Sequence, residues 1–146
     1  MKHTMPEQPQ LLVEEATAAY QEAPTECVAR ILAGLPVDEF DALREIMDLT
    51  VEEMARKIGI SSATLGRRRA KKRPLDRDHS DRLMRYARLY WLSVDLFDGD
   101  AATARAWLKR PARALGGHTP LEFAETEMGA REVEDLIGRI EHGVYT

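Results

Sequence analysis

Residues 67–73, RRRAKKR, place six cations in seven positions. Two kinds of chemistry use such residues. A guanidinium can pair with two acceptors on a guanine edge, and any cation can neutralise a phosphate. From residue 56 to residue 88 twelve Lys and Arg stand against three Asp, a local charge of +9 in a chain whose formal net charge is −4, so the remainder carries −13. An acidic chain with one concentrated basic segment reads as a DNA-binding element joined to something with another task. A solvated basic loop, or a surface that meets an acidic protein, is the blander alternative.

The segment that must position these cations, LTVEEMARKIGISSATLGRRRAKKR, has the anatomy of a helix-turn-helix. Thr50 is placed to cap a first helix and Glu53 to complete a capping box. Ala55 is the small residue where two helices cross, and Gly59 supplies a turn that needs positive φ. Met54, Ile58, Ile60 and Leu65 fall on inward positions, and Ser61 or Ser62 caps the second helix. That helix, from residue 62 to about residue 70, enters a major groove by its N-terminal end. Ser62, Ala63, Thr64, Arg67 and Arg68 are then candidates for base or near-base contact, and Arg69, Lys71, Lys72 and Arg73 for phosphate contact. One such helix reads only a few base pairs, so a homodimer is expected.

Little else in the chain could do chemistry. There is no nucleophile–His–acid set and no phosphate loop, so an enzyme is not expected. The one cysteine, Cys27, reads as a small buried side chain, and the four histidines are scattered without a thiol partner, so no metal or cofactor is expected. No run of about 18 apolar residues offers a membrane span, and the first ten residues lack the apolar core of a signal peptide. A cytoplasmic location follows as the expectation.

Helical periodicity runs through the chain and no segment alternates as a strand would, so the fold class is all-α. Residues 1–10 read as a flexible start, 11–74 as a helix-turn-helix bundle, and 75–146 as a small helical module that includes a long connecting helix. Residues 11–20 form a short amphipathic run that could dimerise or cover the core. Thr25 is placed to cap a helix carrying Val28, Ile31 and Leu32, and Val37, Phe40, Leu43 and Met47 mark the next. Asp76 opens the long helix of Leu83, Ala87, Tyr90, Val94 and Phe97. A short helix holds Ala104, Trp107 and Leu108, Thr119 and Pro120 open another turn, and a last helix from 129 to 142 turns Val133, Leu136, Ile137 and Ile140 inward. Trp91 and Trp107 read as core and His118 as a loop histidine.

On these residues the second half resembles a known family. The Asp98-Gly99-Asp100 turn before an alanine-rich helix, Trp107-Leu108, Pro111 and the run Ala114-Leu115-Gly116-Gly117 carry the likeness. So do Thr119-Pro120-Leu121, Gly129 with Glu132-Val133, and the ending Arg139-Ile140-Glu141 with Gly143. Together they are similar to the C-terminal toxin-binding domain of the Xre/MbcA/ParS antitoxins, and the preceding helix-turn-helix is of the Xre-like type. The resemblance implies a type II antitoxin. Its partner would be a RES-domain toxin that consumes NAD+, obstructed at its active site, within a hetero-oligomeric complex that also binds operator DNA. NAD+ would be the toxin's substrate and not a cofactor of this chain. The surface offered to the toxin is then Gly117, His118, Arg131, Glu132, Glu134, Asp135, Arg139 and Glu141, with Val144, Tyr145 and Thr146 beyond. Carboxylates suit the cationic groups of a pyrophosphate site, although a solvated helix face explains each charge singly. A stand-alone homodimeric transcription regulator is the other reading.

Overall fold

The computed structural model describes residues 24–143, and within them the chain is all-helical, with eight α-helices and no strand. These are α1 (Pro24–Ala33), α2 (Val37–Ile46), α3 (Val51–Ile58), α4 (Ser62–Ala70), α5 (Arg77–Leu96), α6 (Ala101–Leu108), α7 (Pro120–Phe123) and α8 (Glu127–Glu141), with a 3-10 turn at Arg113–Leu115. The chain forms two compact units, one ending at Ala87 and one beginning at Arg88. No helix among the described residues is long and apolar enough to cross a membrane. The amphipathic run at 11–20 and the tail Val144, Tyr145 and Thr146 lie outside the described residues.

In the first unit α2 packs on α3 and α4, and α3 packs on α4. Phe40, Leu43, Met47, Met54, Ile58, Ile60 and Leu65 are buried, as their spacing requires. Helix α1 departs from expectation. It begins at Pro24, so Thr25 lies inside the first turn, and the side chain it buries is Cys27. Val28 and Leu32, one turn apart, are 52% and 59% exposed. Of the three apolar residues the periodicity picks out, only Ile31 is half-buried.

A buried serine ties the two ends of this unit. The Leu35 amide donates to Ser80 Oγ at 2.8 Å, Ser80 Oγ donates to the Leu75 carbonyl at 3.3 Å, and the Leu75 amide donates to the Leu35 carbonyl at 2.9 Å. Arg82 adds a bond from Nη1 to the Ile58 carbonyl at 3.2 Å. The opening turns of α5 therefore belong with the helix-turn-helix. That is why the division falls between Ala87 and Arg88, inside α5, and not at the composition change near residue 75.

In the second unit Asp100 caps α6, and two hydrogen bonds from Thr103 hold its carboxyl below the usual range. Thr119 and Glu122 form a full capping box on α7. Helix α8 starts at Glu127, ahead of the expected 129, because Thr126 Oγ1 accepts the Gly129 amide at 2.9 Å. Helix α7 packs on α6 and α8, and α8 also meets the 3-10 turn. Val133, Leu136 and Ile137 are buried, while Ile140 is half-buried. Gly129 is obligatory: a Cβ there would collide with the Phe123 carbonyl, so α7 and α8 approach as closely as backbones allow.

Replacing Ser80 by Ala should cost about 1–3 kcal/mol, because the Leu35 amide loses its acceptor inside the core. Ser93→Ala is the control: its hydroxyl donates only to the Tyr90 carbonyl in the helix turn before it. Urea unfolding of both variants checks the difference.

Candidate nucleic-acid interface and partner surface

Thr50 and Glu53 cap α3 reciprocally, at 3.0 Å from the Glu53 amide and 2.8 Å from the Thr50 amide. The helix ends at Gly59, left-handed at φ +76°, whose amide donates back to the Arg56 carbonyl at 3.1 Å. A side chain with a Cβ would be strained there, and the turn would open. Ser61 then caps α4 by accepting the Thr64 amide at 3.1 Å, and Leu65 is the one residue α4 buries. His79 spans the Gly59 carbonyl and the Asp76 carboxylate at 3.3 and 2.9 Å, so α5 braces the turn. The sequence offered no sign of that role for His79, since its partners come from twenty residues away and from its own helix cap.

The residues expected to face DNA do not all stand free. Ser62, Ala63, Arg67, Lys71, Lys72 and Arg73 are exposed. Thr64 is half-buried and receives Arg67 Nη2 at 3.2 Å. Arg68 is half-buried and donates to the Pro74 carbonyl at 2.8 Å. Arg69 forks onto Asp41 of α2 at 2.6 and 3.1 Å, and the bond to that carboxylate raises its pKa above the usual guanidinium value. It clamps α4 to α2 from the side, with part of its charge already met. Lys72 sits at φ +54°, a conformation that favours glycine, in the turn that closes α4 through the Arg73 amide and the Arg68 carbonyl at 2.9 Å. Arg68, Arg69, Lys72 and Arg73 line a cleft of about 620 Å³ with Pro36, Val37, Asp38 and Pro74. Gly66, not singled out from the sequence, is exposed on α4, and a Cβ there would meet nothing within 4 Å.

In the second unit several charges are met within the unit. Glu134 is committed to Arg88 at 2.8 Å, both half-buried. Arg131 pairs with Glu127 one turn away at 3.2 Å. Arg139 buries its Nε without a hydrogen-bond partner and lines a shallow groove with Glu134, Asp135, Gly138 and His142. Gly117 and His118 are exposed in the loop before α7, Glu132 and Asp135 are exposed on α8, and Glu141 is exposed at its end. The His118 ring lies 5.9 Å from that of Phe123. The structure brings His118 and Glu132 to one groove and Asp135 and Arg139 to another.

Residues 28–88 match the family described as the antitoxin Xre-like helix-turn-helix domain, and residues 93–143 match the antitoxin Xre/MbcA/ParS C-terminal toxin-binding domain. A protein of Yersinia enterocolitica named Antitoxin Xre is 39% identical over 122 residues, which cover 84% of this chain and 82% of that one. This chain belongs to the Xre antitoxin family. A Photorhabdus laumondii protein, also named Antitoxin Xre, is 40% identical over 113 residues, 77% of this chain and 76% of its own. A more distant relative, the Prs ADP-ribosylating antitoxin of a Sphingobium species, is 22% identical over 136 residues, 88% of this chain and 86% of its own. The antitoxin thus pairs a helix-turn-helix, which implies DNA binding, with a domain whose family implies a toxin partner.

Because Gly66 has ordinary helical backbone and open space beside it, Gly66→Ala should stabilise the antitoxin by about 0.5–1 kcal/mol. Thermal melting measures the gain. A loss of stability would mean that α4 is not the regular helix described.

Proposed function

We propose that this antitoxin neutralises a RES-domain, NAD+-consuming toxin by obstructing its active site through the C-terminal domain, and that it represses its own operon by binding operator DNA. The observation that carries the reading is the join, in one chain, of an outward-facing basic recognition helix and a unit matching an antitoxin toxin-binding domain. The relative named for ADP-ribosylation of Prs supports a toxin whose chemistry draws on NAD+. The antitoxin itself does no catalysis in this reading and acts in the cytoplasm. Residues 11–74 with the opening of α5 serve DNA, and the chain from there to residue 146 serves the toxin.

On the DNA side Ser62, Ala63, Thr64 and Arg67 meet base edges at the exposed start of α4, with Arg68 beside them. Lys71, Lys72 and Arg73 neutralise phosphates, and Arg69 adds what charge Asp41 leaves. Homodimerisation supplies the second half-site, and the exposed Val28 and Leu32 are in keeping with a protein contact on α1. On the toxin side the contact surface comprises Gly117, His118, Arg131, Glu132, Glu134, Asp135, Arg139 and Glu141, with Val144, Tyr145 and Thr146. The carboxylates of Glu132, Asp135 and Glu141 oppose the cations that a pyrophosphate-binding site must carry, while Glu134 is shared with Arg88.

Two measurements test this. Co-expression with the product of the adjacent reading frame should give a stable, inactive complex whose separated partner consumes NAD+. Absence of any complex, with no NAD+ consumption by the partner, would leave a stand-alone DNA-binding regulator. Arg67→Ala should weaken operator binding by about 1–3 kcal/mol while changing affinity for random DNA much less. Equal losses on both DNAs, in a fluorescence-anisotropy titration at fixed salt, would reduce Arg67 to a phosphate contact.

A further inference from the structure

Between α7 and the first turns of α8 runs a groove of about 360 Å³. Phe123 and Met128 give it apolar walls, and Glu122 and Glu132 give it carboxylates; no lysine or arginine lines it. Met128 is 78% exposed, the most exposed of the large apolar side chains described. Water is a poor environment for that side chain, and an unbranched thioether adapts its shape to whatever covers it.

The two helices that frame Met128 are fixed by their own backbone. Thr126 holds the start of α8 by accepting the Gly129 amide, and the Thr119–Glu122 capping box fixes α7. The close backbone contact between Gly129 and Phe123 holds the two helices together beside Met128. Charge is equally one-sided. Residues 122–141 hold seven carboxylates against Arg131 and Arg139, and Arg131 is already paired with Glu127. Glu132, on the groove, makes no ion pair among the described residues.

We propose that this groove anchors the toxin, and that its occupant is a toxin element presenting an apolar side chain beside a lysine or arginine. The proposal rests on the toxin-neutralising reading and refines it: the outer grip is apolar and centred on Met128, while Glu134 is spent internally on Arg88. Desolvated apolar anchors flanked by complementary charge carry most of the energy of protein interfaces.

The test uses the full-length antitoxin and the purified product of the adjacent reading frame, titrated by calorimetry. Met128→Glu adds an acid to the first turn of a helix, where the dipole favours it, so a loss of binding is not a loss of fold. Glu132→Lys reverses the exposed carboxylate, and Asp95→Lys makes the same charge change on an exposed site of α5 away from the groove. Met128→Glu and Glu132→Lys should each raise Kd by about ten-fold or more, and Asp95→Lys should leave it within about two-fold. Wild-type affinity in both groove variants would overturn the groove while leaving neutralisation standing. An equal loss in Asp95→Lys would reduce the effect to overall charge and overturn it too. If the wild-type chain fails to bind the product at all, the neutralising reading itself falls and the groove with it.

Discussion

A nine-residue helix that buries one side chain cannot hold its own orientation by packing. Helix α4 buries Leu65 alone and carries Arg67, Arg68 and Arg69 in its last turn, so its cations repel each other and its apolar anchorage is slight. Everything that makes it a usable probe comes from outside it. Ser61 secures its N-terminus, Gly59 sets the turn from α3, and the Asp41 carboxylate takes Arg69 in a fork from α2. The Pro74 carbonyl takes Arg68. Burial elsewhere in the unit stabilises the scaffold; these few polar contacts aim the helix.

The same division between anchoring and offering recurs in the second unit. Arg88 and Glu134 neutralise each other, and Gly129 and Thr126 fix the meeting of α7 and α8. What the surface of α7 and α8 turns outward is mostly acidic and includes one prominent thioether. Helix α4 and the α7–α8 surface therefore present opposite chemistry: cations suited to phosphate and base edges on one, and an acidic, partly apolar surface suited to a cationic protein on the other. Such a contrast keeps either surface from competing for the other's partner.

Much of the helix-turn-helix was legible in the residues. Its signals are local: Thr50 with Glu53, Gly59, Ser61 and the inward set Met54, Ile58, Ile60 and Leu65 all act within one or two turns, so spacing alone determines them. The outward turn of Val28 and Leu32 was not legible, because periodicity locates an apolar face without saying what it faces. Nor was the engagement of Arg69, whose partner Asp41 lies 28 residues away.

The sequence by itself determined the all-helical class, the place and hand of the turn at Gly59, the caps at Thr50 and Thr119, and the family to which the chain belongs. Those follow from short-range backbone chemistry and from the order of residue types. Only the tertiary structure decided which of the clustered cations stand free, that Ser80 and His79 bind α5 to the helix-turn-helix, and that Met128 is held out beside Phe123 and Glu132. Each of those depends on groups brought together from separate helices, and side-chain spacing along one helix carries no information about a neighbour that the fold supplies.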